Sequence, residues 1–363
     1  MNKFKYYFVL LLAGIAIVSC NKKDDDEVVV VPLRDYTEQY KADNDSIIKY
    51  LNRNYITVTN APGTPQDQDV TISKITDPAT QPSIMSYLNS ETFPKLLTRD
   101  VYNDNITYKV YYLVLREGTG HSPVNTDRVY NTYVGNLLNG TQFDSSNNIP
   151  GYWDLDGLGD RGVFVDGWKE IFPKFKTGTA SAPDASGVVT YNNFGAGVMF
   201  LPSGLAYYGS SQTNIPAYSP LVFSFKLMDL ARIDHDRDGV FDFNEDVNHD
   251  GYVYDFSNKT LYPNPPANLI DDTDGDGTPD FLDIDDDGDG YTTLFEITKP
   301  TGAPVTGISK YYPYDPIPDS PVTPNIDETE TWGIPAVASD GTVDYISPGR
   351  LRLHVDKNHH AIK

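Results

Sequence analysis

Short apolar runs alternate with turn-forming residues over residues 108–230, which is the pattern of a strand-rich domain. The runs are rich in Tyr, Val, Leu and Phe, which favour extended backbone. Four of them predict strands: 108–116, 128–135, 198–201 and 221–227. Asn139-Gly140 favours a tight reverse turn, and residues 166–174 predict a short helix that begins near Gly167. Together these elements predict an α+β domain in which a twisted antiparallel sheet wraps one short helix.

Ahead of this domain, residues 33–56 predict one amphipathic helix with Asp35 as its N-cap. Its apolar residues recur every three or four positions: Tyr36, Tyr40, Ile47, Ile48, Leu51 and Tyr55. The apolar stripe is interrupted around Asn44. Such a helix either packs on the domain that follows, which we favour, or pairs with a second copy. Residues 57–105 are polar and interrupted by prolines, which predicts short strands and loops attached to the main domain.

The charge of the chain restricts its partners. With 28 Lys and Arg against 51 Asp and Glu, the formal net charge is −23, which excludes nucleic acid as a partner because phosphate binding requires clustered cations. Nineteen of the 51 acidic residues lie between Asp234 and Glu296. A local excess of this kind is either a solvated linker or a set of sites for hard cations. The 363 residues are enough for two or three domains, and their sequence does not indicate an oligomeric state.

The first twenty residues have the pattern of an export signal. Lys3 and Lys5 precede a short apolar run, which ends in Ile17-Val18-Ser19-Cys20. This ending resembles the bacterial lipobox, and the resemblance implies that residues 1–19 are removed and that Cys20 carries a lipid. The alternative is an ordinary signal peptide with an unrelated cysteine. Because Cys20 is the only cysteine in the chain, we favour a lipoprotein held at the outer membrane of the cell envelope.

Residues 20–32 form an acidic tether after that cysteine. The run Asn21-Lys22-Lys23-Asp24-Asp25-Asp26-Glu27 resembles the surface-export signal of some Gram-negative lipoproteins. The alternative is a flexible charged linker. The pattern therefore leaves the periplasmic face and the outer surface equally open.

Aromatic residues recur where the predicted strands meet turns, and one carboxylate lies among them. The segments are Tyr133-Val134-Gly135, Phe143-Asp144-Ser145-Ser146, Val165-Asp166-Gly167-Trp168, Leu201-Pro202-Ser203-Gly204-Leu205-Ala206-Tyr207-Tyr208-Gly209, Ile215-Pro216 and Leu221-Val222-Phe223-Ser224-Phe225. In this order along the chain, they resemble the FKBP-type peptidyl-prolyl isomerases. The resemblance covers about 120 residues and implies an FKBP-like fold. It implies that Trp168 is the floor for the proline ring, that Tyr133, Phe143 and Phe223 are aromatic walls, and that Asp144 lies beside the twisted carbonyl. It further implies that Val165 and Ile215 line the cleft, that Tyr208 donates to the substrate, and that Trp153 or Tyr152 fills another wall position.

The activity that the resemblance implies is cis–trans isomerisation of prolyl bonds in polypeptides, in the folding of envelope or surface proteins. Rotation about a prolyl bond must overcome a barrier of roughly 18–20 kcal/mol, and it requires neither a nucleophile nor a cofactor. His121 is the only histidine between residues 108 and 230, in agreement with that chemistry. The alternative is a surface binding or adhesion module that reuses the fold without turnover. Departures from the family pattern are an insertion at residues 179–196, an extra tyrosine, so that Tyr207 and Tyr208 compete for one role, and a bulky Tyr218 beside the cleft.

The acidic segment repeats the spacing of a twelve-residue EF-hand-type calcium loop. We name four loops: loop A (234–245), loop B (246–257), loop C (272–283) and loop D (285–296). In loop A, oxygen donors stand at positions 1, 3, 5, 7, 9 and 12, the seventh being a backbone carbonyl: Asp234, Asp236, Asp238, Val240, Asp242 and Glu245. In loop C they are Asp272, Asp274, Asp276, Thr278, Asp280 and Asp283, and in loop D Asp285, Asp287, Asp289, Tyr291, Thr293 and Glu296.

Glycine stands at position 6 of these loops, where the turn requires it. Loop B is a weaker copy, with Asp246, Asn248 and Asp250 but Ser257 at its last position. Ligand sets made only of oxygen select Ca²⁺ over zinc or copper, and the succession of loops resembles thrombospondin type 3 repeats. The prediction is structural calcium; the alternative is a solvated acidic linker. The chain thus divides at residues 1–19, 20–32, 33–106, 107–230, 231–298 and 299–363, and the last part is a Pro- and Gly-rich tail without a motif for chemistry.

Overall fold

The structure is a computed structural model that describes residues 32–157, 162–163, 165–302, 309–317 and 330–361. The chain divides into two compact units, Met1–Arg34 and Asp35–Lys363, and the second is described below. The predicted signal peptide, Cys20 and most of the tether lie outside the described residues. Over the part that is described, no helix has the length and apolar character needed to cross a membrane.

The described elements comprise helices α1–α3 and strands β1–β13. The helices are α1 Tyr36–Arg53, α2 Asp166–Ile171 and α3 Thr293–Glu296. The strands are β1 Asn54–Val58, β2 Val70–Lys74, β3 Lys95–Asn103, β4 Ile106–Arg116, β5 Arg128–Leu137, β6 Gln142–Ser145, β7 Gly151–Asp154, β8 Thr179–Ala180, β9 Tyr191–Asn192, β10 Gly195–Leu201, β11 Leu221–Ala231, β12 Ala336–Val337 and β13 Val343–Asp344. Short 3₁₀ helices are Ile84–Tyr87, Phe172–Lys174, Ser203–Leu205, Asp242–Asn244, Ala267–Leu269, Asp280–Leu282 and Leu353–Val355.

Helix α1 begins where the sequence predicts, since the Asp35 side chain accepts a hydrogen bond from the backbone N–H of Glu38. It ends at Arg53, earlier than predicted. Asn54 has extended backbone, and Tyr55 and Ile56 belong to β1, which pairs with β2 in an antiparallel hairpin. Ile47 and Leu51 are buried in a core cluster against the main sheet. Of the two predicted arrangements, the packing of this helix on the following domain is therefore confirmed.

The main sheet has seven strands in the order β3-β4-β10-β11-β5-β6, and β7 also pairs with β5. All of its pairings are antiparallel. All four predicted strands occur in it, each longer than the sequence indicates. Strand β3 joins the sheet from the polar region before residue 107, where the sequence predicts only short strands and loops. The predicted α+β class, with an antiparallel sheet and a short helix, is confirmed.

Both faces of the sheet are covered, because its central strands alternate apolar residues to either side. On β4, Tyr112 and Val114 lie in the cluster that contains α2, whereas Leu113 and Leu115 lie in the cluster that contains α1. On β11, the face predicted to be apolar is buried against α2: Leu221, Phe223, Phe225 and Leu227. The sheet therefore separates two cores, and the predicted cleft residues lie on the α2 side.

Helix α2 is shorter than predicted. Pro173 follows its last turn, and the chain continues as the 3₁₀ helix Phe172–Lys174 because proline cannot donate the next helical hydrogen bond. Gly167 allows α2 to approach β10 closely: a Cβ at this position would lie 2.4 Å from a methyl group of Leu201. This approach places Trp168 over the sheet.

The predicted insertion at residues 179–196 is a surface hairpin of β8 and β9, with residues 181–188 exposed. Its predicted end is wrong by two residues. Gly195 and Ala196 are buried and form the start of β10, where they pair with β11.

The acidic segment and the tail share a third core. Val240 and Ile297 of the acidic segment pack with residues of the tail: Tyr312, Ile334, Tyr345 and Leu353. Other acidic-segment residues contact α2 directly, since the Tyr252 hydroxyl donates to the Glu170 carbonyl at 2.7 Å. The segment therefore folds against the sheet domain and is not a solvated linker.

Candidate active site and metal centres

Trp168 lies in the first turn of α2 and is the floor of an aromatic cluster. Three wall rings surround it, with centroids at 5.1 Å (Tyr133), 5.4 Å (Phe223) and 6.4 Å (Trp153). Phe172 packs 5.3 Å away on the core side. Only 3% of Trp168 is exposed. The walls themselves cover it, and among the ring contacts of the described residues none joins Trp168 to Tyr218 or to the surface hairpin.

Strand register brings the walls together. Gly135 of β5 pairs with Asp144 of β6 on one side and with Phe223 of β11 on the other. A Cβ on Gly135 would lie 2.5 Å from the Phe143 ring and 3.0 Å from the Phe223 ring. Because glycine leaves this space, the two phenyl rings meet edge to face with centroids 5.5 Å apart. On β7, Trp153 faces the cluster, whereas Tyr152 packs on Tyr130 and is 40% exposed.

The polar part of the site is a hydroxyl–carboxylate pair at the exposed rim. The Tyr133 hydroxyl donates to Asp144 Oδ2 at 2.7 Å, and Asp144 Oδ1 accepts the backbone N–H of Ser145 at 2.8 Å. Burial and the hydrogen bond to Asp144 raise the pKa of Tyr133 above its ordinary value. Tyr133 therefore stays a neutral donor and fixes the direction of the Asp144 carboxylate beside the aromatic cluster.

The two neighbouring tyrosines point to different places. Tyr208 has a left-handed backbone, with φ of 46°, and its ring stacks on Tyr36 of α1 at 4.3 Å and meets Tyr218 at 5.1 Å. Tyr207 is half-buried against the cluster of Trp168, and burial and the charge of Asp144 raise the pKa of its hydroxyl. The prediction that Tyr208 lines the cleft is therefore wrong in its placement, and Tyr207 occupies that position.

Val165 and Ile215 are 4% and 6% exposed and belong to the same apolar cluster. Val165 precedes α2 as its N-cap, and its carbonyl accepts the Trp168 N–H at 3.0 Å. The structure thus brings together seven of the eight predicted cleft residues: Tyr133, Phe143, Asp144, Val165, Trp168, Ile215 and Phe223. Of the two candidates for the further wall position it places Trp153 in the cluster, and of the two adjacent tyrosines it places Tyr207 there. Their roles toward a substrate stay predictions.

A group of four carboxylates is the most buried of the three carboxylate groups found among the described residues. Asp236, Asp238 and Glu245 of loop A meet Asp286 of loop D, with one oxygen from each lying within 4.8 Å of the others. Asp238, Glu245 and Asp286 are 2%, 4% and 1% exposed. Over the described residues, no lysine, arginine or histidine pairs with this group. Sequence spacing does not reveal Asp286, because it belongs to a loop forty residues further along the chain.

The electrostatics of this group favour a bound cation. Burial and the other carboxylates raise the pKa of Glu245 to about 12 and that of Asp286 to about 10. Several carboxylate oxygens in the group have no hydrogen-bond donor, including one of Glu245. A buried carboxylate is costly unless a hydrogen bond or a positive charge compensates it. A donor set made only of oxygen, with several negative charges, fits Ca²⁺.

Loops C and D each gather three carboxylates within 4.8 Å: Asp272, Asp274 and Asp276 in loop C, and Asp285, Asp287 and Asp289 in loop D. The loop C group faces solvent. The loop D group lies against Glu296, which is 3% exposed and has no donor to either oxygen. Burial and these carboxylates, with Asp356 of the tail, raise the pKa of Glu296 to about 9. Asp356 of the tail therefore adds a negative charge near a site for which the sequence spacing predicts ligands from loop D alone.

The other predicted carboxylate ligands accept hydrogen bonds from residues in or beside their own loops. Asp242 accepts from the His235 backbone at 3.1 Å and contacts its ring at 2.6 Å, and Asp280 accepts from the backbone and hydroxyl of Thr273 at 2.7 and 2.6 Å. The position-1 residue Asp234 accepts N–H groups of its own loop, and Asp283 accepts the N–H of Asp285. The structure does not bring these four side chains into the groups of three and four carboxylates. Ligation through the carbonyls of Val240, Thr278 and Tyr291 stays a prediction.

Comparison with known proteins finds similarity over parts of the chain. A family model described as BamM C-terminal matches residues 235–325. Over 121 residues, 33% of this chain, the sequence is 30% identical to the FKBP-type peptidyl-prolyl cis-trans isomerase FkpA of Escherichia coli K12, covering 37% of that protein. It is 28% identical over 121 residues to the FKBP-type 22 kDa isomerase of the same organism, covering 48% of it. The chain thus spans between about a third and a half of the length of these relatives.

Two solved structures are also similar to this segment. A peptidyl-prolyl cis-trans isomerase from Pseudomonas syringae is 26% identical with a TM-score of 0.27, covering 34% of this chain and 76% of that one. The crystal structure of FkpA from Escherichia coli is 29% identical with a TM-score of 0.26, covering 33% of this chain and 47% of that one. By sequence, about one third of this chain is homologous to FKBP-type isomerases.

Proposed function

We propose that this protein is a peptidyl-prolyl cis–trans isomerase that acts on proline-containing polypeptides. The observation that carries the proposal is the Tyr133–Asp144 pair at the rim of the aromatic cluster over Trp168. About one third of the chain is homologous to FKBP-type isomerases, and the resemblance assigns both residues to the cleft. We expect this pair and the Tyr207 hydroxyl to be the polar groups that contact a substrate amide.

The proposed mechanism is stabilisation of a twisted amide. During rotation the prolyl amide loses conjugation, and an apolar enclosure favours this less polar state over the planar ground state. The prolyl ring packs on the face of Trp168 between the walls. Tyr207 donates its hydroxyl to a carbonyl of the peptide, and Asp144, held by Tyr133, stabilises the polarised carbonyl carbon. Each tenfold acceleration requires about 1.4 kcal/mol of such differential binding, and no proton is transferred.

Entry of the prolyl ring requires movement of the walls. Because 3% of Trp168 is exposed, we expect the ring to bind by displacing Trp153, which is half-buried at the edge of the cluster, while Tyr133 keeps its hydrogen bond to Asp144. Rotation of such side chains is fast relative to prolyl isomerisation, which takes about 10–100 s without a catalyst. The displacement of a wall side chain therefore lowers the affinity for the peptide but does not limit the rate of rotation about the prolyl bond.

The test is exchange spectroscopy on a short Xaa-Pro peptide with the full chain. An isomerase produces cis–trans exchange cross-peaks at substoichiometric protein. The second candidate, a surface binding module without turnover, is favoured by the burial of Trp168. It shifts or broadens the peptide resonances without producing exchange. Absence of both effects contradicts isomerisation and proline binding alike.

We further propose that the acidic segment binds Ca²⁺ as a structural ion. The buried group Asp236, Asp238, Glu245 and Asp286 supports this proposal, since it links loops A and D through one cluster. A cation there cross-links parts of the chain that share only a small apolar core. Calcium removal is therefore expected to lower Tm and to expose the segment to protease. If chelation changes neither, calcium is not a structural ion here.

For location, we propose a lipoprotein of the outer membrane, anchored through a lipid on Cys20. The support is the sequence of residues 1–27 alone. Metabolic labelling with a fatty acid tests it, with Cys20→Ala as the variant that must lose the label. Protease treatment of intact cells then separates the outer surface from the periplasmic face.

A further inference from the structure

Loop B has the same backbone conformation as the other three loops, although its sequence lacks the final carboxylate. The fourth residue of every loop is left-handed, with φ of 66° in loop A, 59° in loop B, 79° in loop C and 66° in loop D. The sixth residue is a left-handed glycine in all four, with φ of 98°, 87°, 103° and 91°. Loop B is therefore folded as a fourth member of the set.

Its internal hydrogen bonds are equivalent as well. In each loop the first carboxylate accepts the N–H of the glycine at position 6, the third side chain accepts the N–H of position 5, and the fifth accepts the N–H of position 7. In loop B these bonds involve Asp246, Asn248 and Asp250 at 2.8, 2.9 and 2.9 Å. In loop A the corresponding distances are 3.2, 3.1 and 2.8 Å.

A distant residue supplies the carboxylate that Ser257 cannot. Asp271, beyond the proline-rich stretch, is 0% exposed and lies against loop B. Its Oδ1 accepts from the backbone N–H groups of Val247 and Asn248 at 3.0 and 3.3 Å and from the Asn248 side chain at 3.0 Å. Its Oδ2 is buried, and no donor of the described chain reaches it. Burial and the negative charges of Asp246 and Asp250 raise the pKa of this carboxylate above its ordinary value.

We propose that Asp246, Asn248, Asp250 and Asp271 form a fourth cation site, for a hard divalent ion such as Ca²⁺. The donors are all oxygen, and the buried Oδ2 of Asp271 is the group that an ion compensates. The site deepens the calcium binding proposed above and rests on it. Arg99 and Lys174 lie near Asp250 and oppose part of its negative charge.

The position of this site gives it a specific consequence. Tyr252 directly follows the loop glycine, is fully buried, and bonds the Glu170 carbonyl of α2. The Val253 carbonyl accepts a hydrogen bond from the Asn125 side-chain amide at 2.5 Å, and the Val253 N–H donates to the Asn125 side-chain oxygen at 2.7 Å. Tyr254 donates to the Glu170 carboxylate at 2.9 Å. An ion in loop B therefore orders the 252–254 segment against the helix that carries Trp168.

Calcium stoichiometry of the full-length chain tests the proposal. The chain is stripped with chelator and titrated with Ca²⁺ by calorimetry. We expect Asp271→Asn and Asp250→Asn each to bind one ion fewer than the unsubstituted chain. Asp255→Asn is the matched control, because it makes the same charge change at an exposed carboxylate of the same segment, and it binds as many ions as the unsubstituted chain.

Hydrogen exchange at residues 246–254 gives the second readout. Saturating calcium slows exchange there in the unsubstituted chain and in Asp255→Asn, and has less effect in Asp250→Asn. Asp250 is exposed, so this variant decides the matter if Asp271→Asn does not fold. Unchanged stoichiometry and unchanged protection in Asp250→Asn overturn the fourth site and leave the other three standing. No calcium binding by the unsubstituted chain overturns both proposals about calcium and leaves the isomerase proposal untouched.

Discussion

The Asp43 carboxylate of α1 accepts two hydrogen bonds from Ser203, one from its backbone N–H at 2.8 Å and one from its hydroxyl at 2.6 Å. Both residues are almost completely buried, and Gln39 donates to the other carboxylate oxygen at 2.7 Å. Ser203 begins the loop that carries Tyr207 and Ile215 into the aromatic cluster. The N-terminal helix therefore positions one side of the candidate cleft through a buried polar contact.

Loss of this contact destabilises the domain. We expect Asp43→Ala to lower the free energy of unfolding by about 3 kcal/mol, because the two buried donors of Ser203 lose their acceptor. Asp45→Ala is the control, since Asp45 is exposed on the same helix. Chemical denaturation measures both. Equal stabilities for the two variants contradict the role assigned to Asp43.

The two tyrosines of the cleft loop are expected to differ in catalysis. Tyr207→Phe removes the hydroxyl that faces Asp144 and lowers kcat/KM about tenfold, the equivalent of about 1.4 kcal/mol. Tyr208→Phe keeps the ring that stacks on Tyr36 and leaves kcat/KM within about twofold. Steady-state assays on a prolyl peptide compare them. If Tyr208→Phe is the impaired variant, the assignment of Tyr207 to the cleft is wrong.

Without calcium, stability is expected to fall as pH rises. The pKa of Glu245 is raised from 4.5 to about 12 and that of Asp286 from 3.8 to about 10, so each carboxyl holds its proton more tightly in the folded chain than in the unfolded one. The free energy of unfolding therefore decreases above about pH 4.5. In chelator, Tm falls between about pH 5 and about pH 8, and excess calcium removes this slope. A Tm in chelator that rises over this interval contradicts the cluster.

His235 is a basic side chain that joins loop A to the sheet domain. Burial disfavours its charged form, but hydrogen bonds to Asp156 and Asp242 outweigh this and raise its pKa to about 10. Its contribution to stability is complete below its ordinary pKa of 6.5 and is lost as pH rises towards about 10. In saturating calcium, we expect His235→Gln to cost about 2 kcal/mol at pH 6 and little near pH 10. A cost that does not depend on pH contradicts the charged bridge.

Sequence patterns predict the elements here better than the contacts between them. The alternation of Leu221, Phe223, Phe225 and Leu227 places β11 correctly, because one buried face imposes a period of two. No such period distinguishes Tyr207 from Tyr208 in a loop, where one left-handed residue decides which ring turns inward. The polar interruption near Asn44 includes Asp43, whose hydrogen-bond partner Ser203 lies far along the chain.

The same limit applies to the acidic loops. Spacing within each loop predicts Asp236, Asp238 and Glu245, since a glycine turn folds neighbouring residues onto one another. Asp286 belongs to loop D, and Asp271 directly precedes loop C. The spacing within loop A therefore does not predict Asp286, and the spacing within loop B does not predict Asp271. Asp242, in contrast, fits the spacing, yet its side chain bonds to His235.

The most direct measurement is kcat/KM for cis–trans isomerisation of an Xaa-Pro peptide by the unsubstituted chain and by Asp144→Asn. Asp144 is exposed, so the substitution tests the carboxylate and not the fold. Asp100→Asn, an exposed carboxylate on the opposite edge strand β3, is the matched control. The account predicts catalysis by the unsubstituted chain and by Asp100→Asn, and a loss of about tenfold in Asp144→Asn. No acceleration by the unsubstituted chain, or equal rates in all three, would contradict it.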